Sequence, residues 1–311
     1  MKRSSPRFEN FRLRGLVAAM FTPFKPDGSL NLPRIKPLID QVLAQGASGL
    51  YVLGSTGEGP SLTTEERLKV AEAAVKAAAG RVPVIIQVGH NSLEEARGFA
   101  AHAQKIGADA FSATPAAYFK PETLEVFIEC IARIASGAPK LPFYYYNLPN
   151  FTGVRFDMAQ FLAKGGPRIP NLRGIKFSDA MLYEFQACTR FDGGRYDILF
   201  GIDEMLLSGV ASGAQGAVGS TYNFAAPLYL RIMSAVKRGD LAEAQRLQAL
   251  SWEIIRVIVS RGGRGGIKAA MGIAGQDCGP SRLPIVTCTA EQRALIRKEL
   301  EPLGFFDLAR A

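Results

Sequence analysis

Short apolar runs recur along the chain and alternate with longer segments of helical periodicity. The runs are continuous and do not alternate apolar with polar residues, which is typical of strands buried on both faces of a parallel sheet. In chain order they cover residues 15–20, 49–53, 82–88, 108–113, 141–146, 173–177, 197–200 and 216–219. Eight such strands separated by helices predict an α/β fold of the (β/α)8 TIM-barrel type.

Helix boundaries follow from polar residues and glycines beside these runs. Thr63 and Ser92 are each followed three residues later by glutamate, which predicts a capping box at the start of two helices. Gly46, Gly107 and Gly213 each stand between a helical segment and a strand run, where glycine can end a helix in the left-handed conformation. An open doubly wound sheet is the alternative fold, but no G-x-G-x-x-G motif follows the first run.

Strand-like runs stop after Asn223, and residues 224–311 have helical character, including 240–258 and 290–303. We therefore predict three parts of the chain. They are a basic N-terminal arm (1–14), the barrel (15–235) and a C-terminal helical extension (236–311).

Composition and charge narrow the function classes. The chain has 311 residues, of which 48% are hydrophobic, so it can bury a large core, and its net charge is +9. The basic residues are scattered except in Arg261-Gly262-Gly263-Arg264-Gly265-Gly266, which we interpret as a glycine-rich turn between two helices. One such cluster is weak evidence for nucleic-acid binding, so we expect no nucleic-acid partner. The positive charge suits an anionic small substrate.

No apolar run approaches the roughly 18 residues of a membrane span, so we expect no membrane association. Residues 15–21 resemble the apolar part of a signal peptide, but Thr22-Pro23 and the lack of an A-x-A site favour a first strand. The four cysteines lack CxxC spacing and are interpreted as reduced thiols. These features predict a cytoplasmic protein.

Lys176 and Tyr146 stand near the ends of two neighbouring strand runs. In a (β/α)8 barrel the chemistry lies at the carboxyl ends of the strands, so both side chains would meet in one pocket. An amine and a phenol suit Schiff-base chemistry, with the lysine as nucleophile and the tyrosine as proton carrier. Taken alone, Lys176 could be a surface lysine, but Ile175 and Phe177 favour an enclosed setting. Alternation places Tyr146 on the face opposite to Tyr145.

The segment after the second run, Gly54-Ser55-Thr56-Gly57-Glu58-Gly59, carries two hydroxyls and flexible backbone N–H groups. It lacks the Gly-Lys-Ser/Thr ending of a phosphate-binding P-loop. Several donors close together suit a carboxylate. Taken alone, an ordinary strand-to-helix turn is the simpler interpretation.

Metal catalysis is poorly supported by the sequence. The chain has two histidines, and His102 lies within a helical segment as a structural or surface residue. His90 ends the third run and could face the pocket, but one histidine without a carboxylate cluster does not make a metal site. The sequence therefore predicts no metal site.

These motifs together resemble the family of pyruvate-dependent class I aldolases that contains dihydrodipicolinate synthase and the sialic acid lyases. The resemblance covers nearly the whole chain from Gly15 and is strongest to the sialic acid lyases. The segments that carry it are 54–58, 141–149, 174–179, 200–204 and 216–223. It implies a TIM barrel and the reversible cleavage of N-acetylneuraminate to N-acetylmannosamine and pyruvate, without a cofactor.

The resemblance also implies roles for individual residues. Lys176 would form a Schiff base with the keto carbon, and Tyr146 would transfer the proton of the C4 hydroxyl. Ser55 and Thr56 would bind the substrate carboxylate, with the backbone of Gly57 nearby, and Ser55 would also orient Tyr146. Ser178 would lie close to the reacting hydroxyl. The hydroxyl-bearing tail would be held by Gly201, Asp203, Glu204 and Ser220.

Position 151 helps to choose among relatives, because dihydrodipicolinate synthases place an arginine there and this chain has Phe151. A phenyl ring cannot replace the bidentate bonds of a guanidinium to a carboxylate, whereas Asp203 and Glu204 suit a polyhydroxylated partner. Another pyruvate aldolase or keto-acid dehydratase remains an alternative, as does a non-catalytic sugar-acid sensor. The resemblance further implies a homotetramer. Tyr118 is the candidate to reach a neighbouring subunit's site, although segment 114–121 is one residue longer than its counterparts.

Overall fold

A computed structural model describes residues 10–310 of the chain, and its centre is a closed barrel of eight parallel strands. Each strand pairs with the next in sequence, and the last pairs with the first, so that Gly15 lies opposite Gly216. The barrel prediction is confirmed, and closure excludes the open sheet. The strands are β1 Gly15–Ala19, β2 Gly49–Val52, β3 Val84–Gln87, β4 Ala110–Ala113, β5 Phe143–Asn147, β6 Leu172–Phe177, β7 Asp197–Phe200 and β8 Gly216–Gly219.

Helices follow the strands and surround the barrel. Those between β1 and β8 are α1 Ile35–Ala44, α2 Thr64–Ala78, α3 Leu93–Lys105, α4 Leu124–Ala135, α5 Pro149–Thr152, α6 Met158–Gly165, α7 Leu182–Arg190 and α8 Leu206–Ala211. Those after β8 are α9 Tyr222–Lys237, α10 Leu241–Ile273, α11 Ala290–Leu300 and α12 Phe305–Arg310. None of these helices is long and apolar enough to cross a membrane.

Alternate side chains of each strand pack into two separate cores. Tyr144 and Tyr146 point into the barrel, where they join Val17 and Tyr51, whereas Tyr145 points outward against the helices. The predicted alternation in the tyrosine run is therefore confirmed. Because both faces are covered, the strands show no polar face, which explains why their sequences are continuously apolar.

Of the two predicted capping boxes, one has both of its hydrogen bonds and the other has one of them. Thr63 accepts from the N–H of Glu66 and the glutamate side chain accepts from the N–H of Thr63, so the first box is confirmed. Ser92 accepts from the N–H of Glu95, but its own N–H donates to His90 Nδ1 instead. The second box is wrong in this respect, because a histidine two residues earlier supplies the acceptor.

The glycines that end helices behave as predicted at the three helix-to-strand turns. Gly46, Gly107 and Gly213 have φ values of +93°, +80° and +107°. Each lets a helix end in the left-handed conformation immediately before a strand, at little steric cost.

The glycine-rich segment 261–266 separates two helical stretches of α10, as the sequence predicts. The break lies at Gly263, which leaves helical geometry with φ 55° and ψ −143°. Its other glycines allow close packing. A Cβ on Gly265 would lie 2.0 Å from the carbonyl oxygen of Val286, and one on Gly266 would lie 2.6 Å from that of Ile258. The segment is therefore a kink that packs against the chain near Val286.

The division of the chain into arm, barrel and extension stays a prediction. Residues 1–9 of the arm lie outside the described residues, but Leu13 is buried and its N–H donates to Asp197 Oδ2 at 2.9 Å. Helix α9 runs across the proposed boundary after residue 235. All four cysteines are free thiols.

Candidate active site

A cavity of about 460 Å³ opens beside the carboxyl ends of the barrel strands. This volume is within the range of small-molecule sites. Side chains from five strand ends meet there, as the barrel rule predicts. The predicted residues that line the cavity are Ser55, Thr56, Tyr146, Lys176, Ser178, Gly201, Asp203, Glu204 and Ser220.

Lys176 and Tyr146 are direct neighbours in adjacent strands. The register of β5 and β6 places Tyr146 opposite Lys176, and alternation turns both toward the interior. Lys176 Nζ lies 3.9 Å from the ring centroid of Tyr146 and 4.0 Å from that of Tyr51. The lysine is only 4% exposed yet lines the cavity. An enclosed amine beside a phenol is the arrangement that Schiff-base chemistry needs.

Sequence reasoning missed Tyr51, which forms the second wall around the lysine amine. Its ring meets the Tyr146 ring edge-to-face with centroids 5.6 Å apart, and its hydroxyl donates to Ser112 Oγ at 3.1 Å. Alternation along the second strand run could have predicted its orientation, because it turns Tyr51 to the barrel interior, where Val17 of the first run also lies. Which interior side chain touches the lysine depends on the packing of non-neighbouring strands.

The turn after β2 presents Ser55 and Thr56 to the cavity. The N–H of Glu58 donates to the carbonyl of Ser55 at 3.1 Å, and Glu58 adopts a left-handed φ of 53°. Such a φ is uncommon for a residue with a side chain. Gly57 is buried and does not line the cavity; its carbonyl accepts from Thr22 Oγ1 at 2.6 Å. Within residues 10–310 no hydrogen bond joins Ser55 to Tyr146.

A buried ion pair stands behind this turn. Lys268 Nζ of α10 lies 2.7 Å from Glu58 Oε1, and both side chains are 3% exposed. Glu58 Oε2 also accepts from the N–H of Arg282 at 2.8 Å. Burial lowers the pKa of Lys268, and the charge of Glu58 opposes that shift. Glu58 belonged to the recognised motif without a role, and no local signal marks Lys268, because the two residues meet only through the fold.

Asp203 forms the opposite wall from the loop after β7. Its Oδ2 accepts from the N–H of Thr221 at 2.8 Å and from the hydroxyl of Thr221 at 2.6 Å. Burial, followed by the charge of Glu204, raises the pKa of Asp203 to about 6. A Cβ on Gly219 would lie 2.1 Å from Asp203 Oδ1, so glycine is required at the end of β8.

Ser178 has a hydroxyl available for a ligand. Its Oγ is buried and has no hydrogen-bond partner among the residues that the structure describes. A Cβ on Gly201 would lie 2.0 Å from that oxygen, so Gly201 makes room for it. Because buried hydroxyls are rarely left unpaired, a ligand in the cavity is a natural partner.

Besides Gly57, His90 and Tyr118 also lie outside the cavity lining. His90 is exposed and holds the start of α3 through Ser92, so it does not face the pocket. Tyr118 is 79% exposed, and its N–H donates to Asn91 Oδ1 at 3.2 Å. A single chain therefore gives Tyr118 no contact with the candidate site.

Helix α10 supplies one side of the cavity, although the sequence placed it in an extension outside the barrel. Its Ile255, Val259 and Ile267 contribute apolar lining. Arg264, which follows the kink, places its guanidinium carbon 4.2 Å above the ring centroid of Phe151. Both residues line the cavity and both are exposed, so they mark its mouth. The sequence offered no signal for this contact because the two residues are far apart along the chain.

Comparisons with known proteins agree with this geometry. The profile described as the dihydrodipicolinate synthetase family matches residues 12–303. The chain is 40% identical over 282 residues to N-acetylneuraminate lyase of Xenopus tropicalis, covering 89% of this chain and 92% of that protein. It is 37% identical over 303 residues to N-acetylneuraminate lyase of Rattus norvegicus, covering 96% and 95%. Its fold matches the solved N-acetylneuraminate lyase of Proteus mirabilis with a TM-score of 0.92 and 42% identity, covering 95% of this chain and 100% of that one.

Proposed function

The chain belongs to the dihydrodipicolinate synthetase family, and on that basis we propose that it is a Schiff-base aldolase that cleaves N-acetylneuraminate reversibly to N-acetylmannosamine and pyruvate. The observation that carries the proposal is the position of Lys176. Its amine is enclosed by two tyrosine rings at the carboxyl end of the barrel and still lines a cavity large enough for a sugar acid. The relatives named above support the choice of substrate.

In the proposed reaction, the neutral amine of Lys176 attacks the C2 keto carbon of the open-chain sugar acid. The resulting carbinolamine loses water to form an iminium ion. Tyr146, on the adjacent strand, takes the proton of the C4 hydroxyl as its own phenolic proton passes to the substrate carboxylate. The electrons of the C3–C4 bond then move into the iminium, which becomes an enamine as N-acetylmannosamine leaves. Protonation of the enamine at C3 and addition of water release pyruvate and restore the lysine.

The remaining cavity residues bind the two ends of the substrate. Ser55 and Thr56, which both line the cavity, hold the carboxylate. Ser178 takes the reacting hydroxyl, since its oxygen lacks another partner among residues 10–310. The residues that accept the hydroxyls of the tail are Gly201, Asp203, Glu204 and Ser220.

The assembly and location of the protein are also proposals. We infer a cytoplasmic homotetramer in which the exposed Tyr118 reaches a neighbouring subunit. Light scattering checks the assembly, for which four chains of 33.6 kDa are expected.

The first experiment is to trap the Schiff base. The protein is incubated with N-acetylneuraminate, reduced with borohydride and digested, and the peptide masses are measured by mass spectrometry. We expect a reduced pyruvyl adduct on Lys176 together with released N-acetylmannosamine. Lys176→Met should form no adduct, and Tyr146→Phe should still form the adduct while cleavage slows by about 100-fold or more, since general acid–base catalysis contributes that much.

The possible results separate the alternatives. An adduct with pyruvate but no cleavage of N-acetylneuraminate would keep the aldolase mechanism and indicate another aldehyde partner. Sugar-acid binding that survives Lys176→Met, without turnover in the parent protein, would support a sensor. An adduct on a different lysine would contradict the proposed site.

A further inference from the structure

The mouth of the cavity carries an arginine for which the proposed reaction has no use. The guanidinium carbon of Arg264 lies 4.2 Å from the ring centroid of Phe151, which is 51% exposed. A planar guanidinium stacked on an aromatic ring is held in orientation while its N–H groups stay free to donate. In the part of the chain that the structure describes, Arg264 makes no hydrogen bond or ion pair.

The backbone around Arg264 directs it to this place. Gly263 leaves helical geometry immediately before it, and Gly265 immediately after it packs against the carbonyl of Val286, 2.0 Å from where a Cβ would lie. The kink and this close packing fix the course of α10 on both sides of Arg264. The backbone therefore places the Cα of Arg264 at the mouth of the cavity.

The surroundings of Arg264 indicate what kind of group it would bind. On α10 the cavity is lined by Val259 and Ile267, and Ile285 from the following segment adds a third aliphatic side chain. A hydrogen-bond donor beside apolar side chains matches an acyl group, whose carbonyl accepts a bond and whose methyl needs an apolar contact.

We propose that Arg264, stacked on Phe151, is a specificity residue that binds the acyl substituent of the sugar chain. This inference rests on the proposed function and adds to it a preference for N-acylated over unsubstituted sugars. The amide carbonyl of the substrate accepts from the Arg264 guanidinium, while its methyl lies against Phe151 and Val259. The contact lies at the mouth, away from the enclosed Lys176, so it changes affinity for the sugar and not the chemistry at the amine.

The test compares two sugars in the synthetic direction with the full-length protein. N-acetylmannosamine and mannose differ only in that one carries an acetamido group where the other carries a hydroxyl. We expect Arg264→Ala to lower kcat/KM for N-acetylmannosamine about tenfold, which is the scale of a hydrogen bond to a charged donor. The kcat/KM for mannose and the KM for pyruvate should stay within about twofold, because neither molecule carries an N-acyl group that could lose the hydrogen bond.

Two further variants make the result specific. Phe151→Ala should act in the same direction, because it removes the ring that orients the guanidinium. Arg256→Ala is the matched control: Arg256 is also an exposed arginine of α10 near an aromatic ring, 5.8 Å from Trp252, but it pairs with Glu253 and does not line the cavity. It should leave both sugars unchanged.

The outcomes distinguish this proposal from the proposed function. If Arg264→Ala leaves the ratio of the two sugars unchanged, or lowers both equally, while the parent enzyme is active, the acyl subsite is wrong and the aldolase function stands. If Arg264→Ala instead impairs only an aldehyde that carries a carboxylate, such as succinic semialdehyde, the site binds anions and the acyl assignment is overturned. If neither sugar reacts although pyruvate labels Lys176, the choice of substrate fails and the acyl subsite fails with it.

Discussion

Single side chains in this protein owe their chemical properties to what surrounds them. Lys176 is enclosed by two aromatic rings, and Asp203 is enclosed by its own loop and by Thr221. Among the proposed substrate-binding residues, Asp203 has a pKa that is shifted toward neutral pH. Burial, followed by the charge of Glu204, raises that pKa to about 6. Burial thus gives the candidate site a carboxyl group that titrates near neutral pH.

The affinity for the sugar tail should therefore depend on pH. A carboxylate accepts hydrogen bonds from hydroxyls on both oxygens only when ionised, so protonation as the pH falls through about 6 should raise the KM for N-acetylneuraminate. Steady-state kinetics on either side of that pH measure the change. Asp203→Asn should have a raised KM without this step.

A matched measurement isolates the effect. The KM for pyruvate in the synthetic direction should show a smaller step at about pH 6, because pyruvate has no hydroxyl tail for Asp203 to bind. A step of equal size for both substrates, or one that persists in Asp203→Asn, would assign it to another group.

At the scale of elements, α10 supports both proposed substrate-binding turns from outside the barrel. Gln248 Nε2 donates to the carbonyl of Asp203 at 3.3 Å, and Gln248 Oε1 accepts from the N–H of Leu207 at 2.8 Å. Further along, Lys268 holds Glu58 behind the turn that carries Ser55. The helix predicted as an appendage therefore positions both ends of the site.

Breaking the Glu58–Lys268 pair should loosen the carboxylate turn. Glu58→Gln leaves Lys268 buried without its counter-charge, which typically costs about 3–5 kcal/mol of the free energy of unfolding. We expect denaturant unfolding to show a loss of this order. The KM for pyruvate should rise more than kcat falls, since the turn binds the carboxylate in the proposed complex.

The double variant Glu58→Gln/Lys268→Met tests whether the pair acts as a unit. It removes the buried charge that the single change leaves uncompensated, so its stability should exceed that of Glu58→Gln alone. Strictly additive losses of the two single changes would show that the residues act independently.

At the scale of the whole molecule, closure of the barrel brings together residues that are distant in sequence. Closure needs β6 and β7 to approach closely, and Gly174 is where they do so. Gly174 lies opposite Asp197, and a Cβ on it would be 1.7 Å from the carbonyl oxygen of Asp197 and 3.0 Å from the ring of Tyr144. The glycine two residues before Lys176 is thus required for closure of the barrel.

Gly174→Ala should destabilise the protein strongly. The added methyl group meets backbone, which cannot rotate away, so the strands must separate at a cost of about 3 kcal/mol or more and the Tm should fall by about 5 °C or more. Differential scanning calorimetry measures the change. Gly98→Ala is the control: Gly98 lies within α3 with nothing within 4 Å of its would-be Cβ, so alanine should leave the Tm equal or higher. A Gly174→Ala protein as stable as the parent would contradict the role of this contact.

Local features of the sequence were enough to determine the barrel. Continuous apolar runs, the capping box at Thr63 and the glycines that end helices depend only on neighbours along the chain, and all are present in the structure. The pairing of Lys176 with Tyr146 also followed from the sequence, because consecutive parallel strands place their carboxyl ends side by side.

Contacts between distant segments were decided only by the tertiary structure. The placement of Tyr51 against the lysine amine, the pair of Glu58 with Lys268 and the stack of Arg264 on Phe151 join segments that no local pattern relates. The glycine-rich segment 261–266 shows the reason most clearly. Its composition predicts the break in α10 at Gly263, because backbone freedom is a local property. Its close packing against Val286 depends on where a later part of the chain lies, which only the tertiary structure decides.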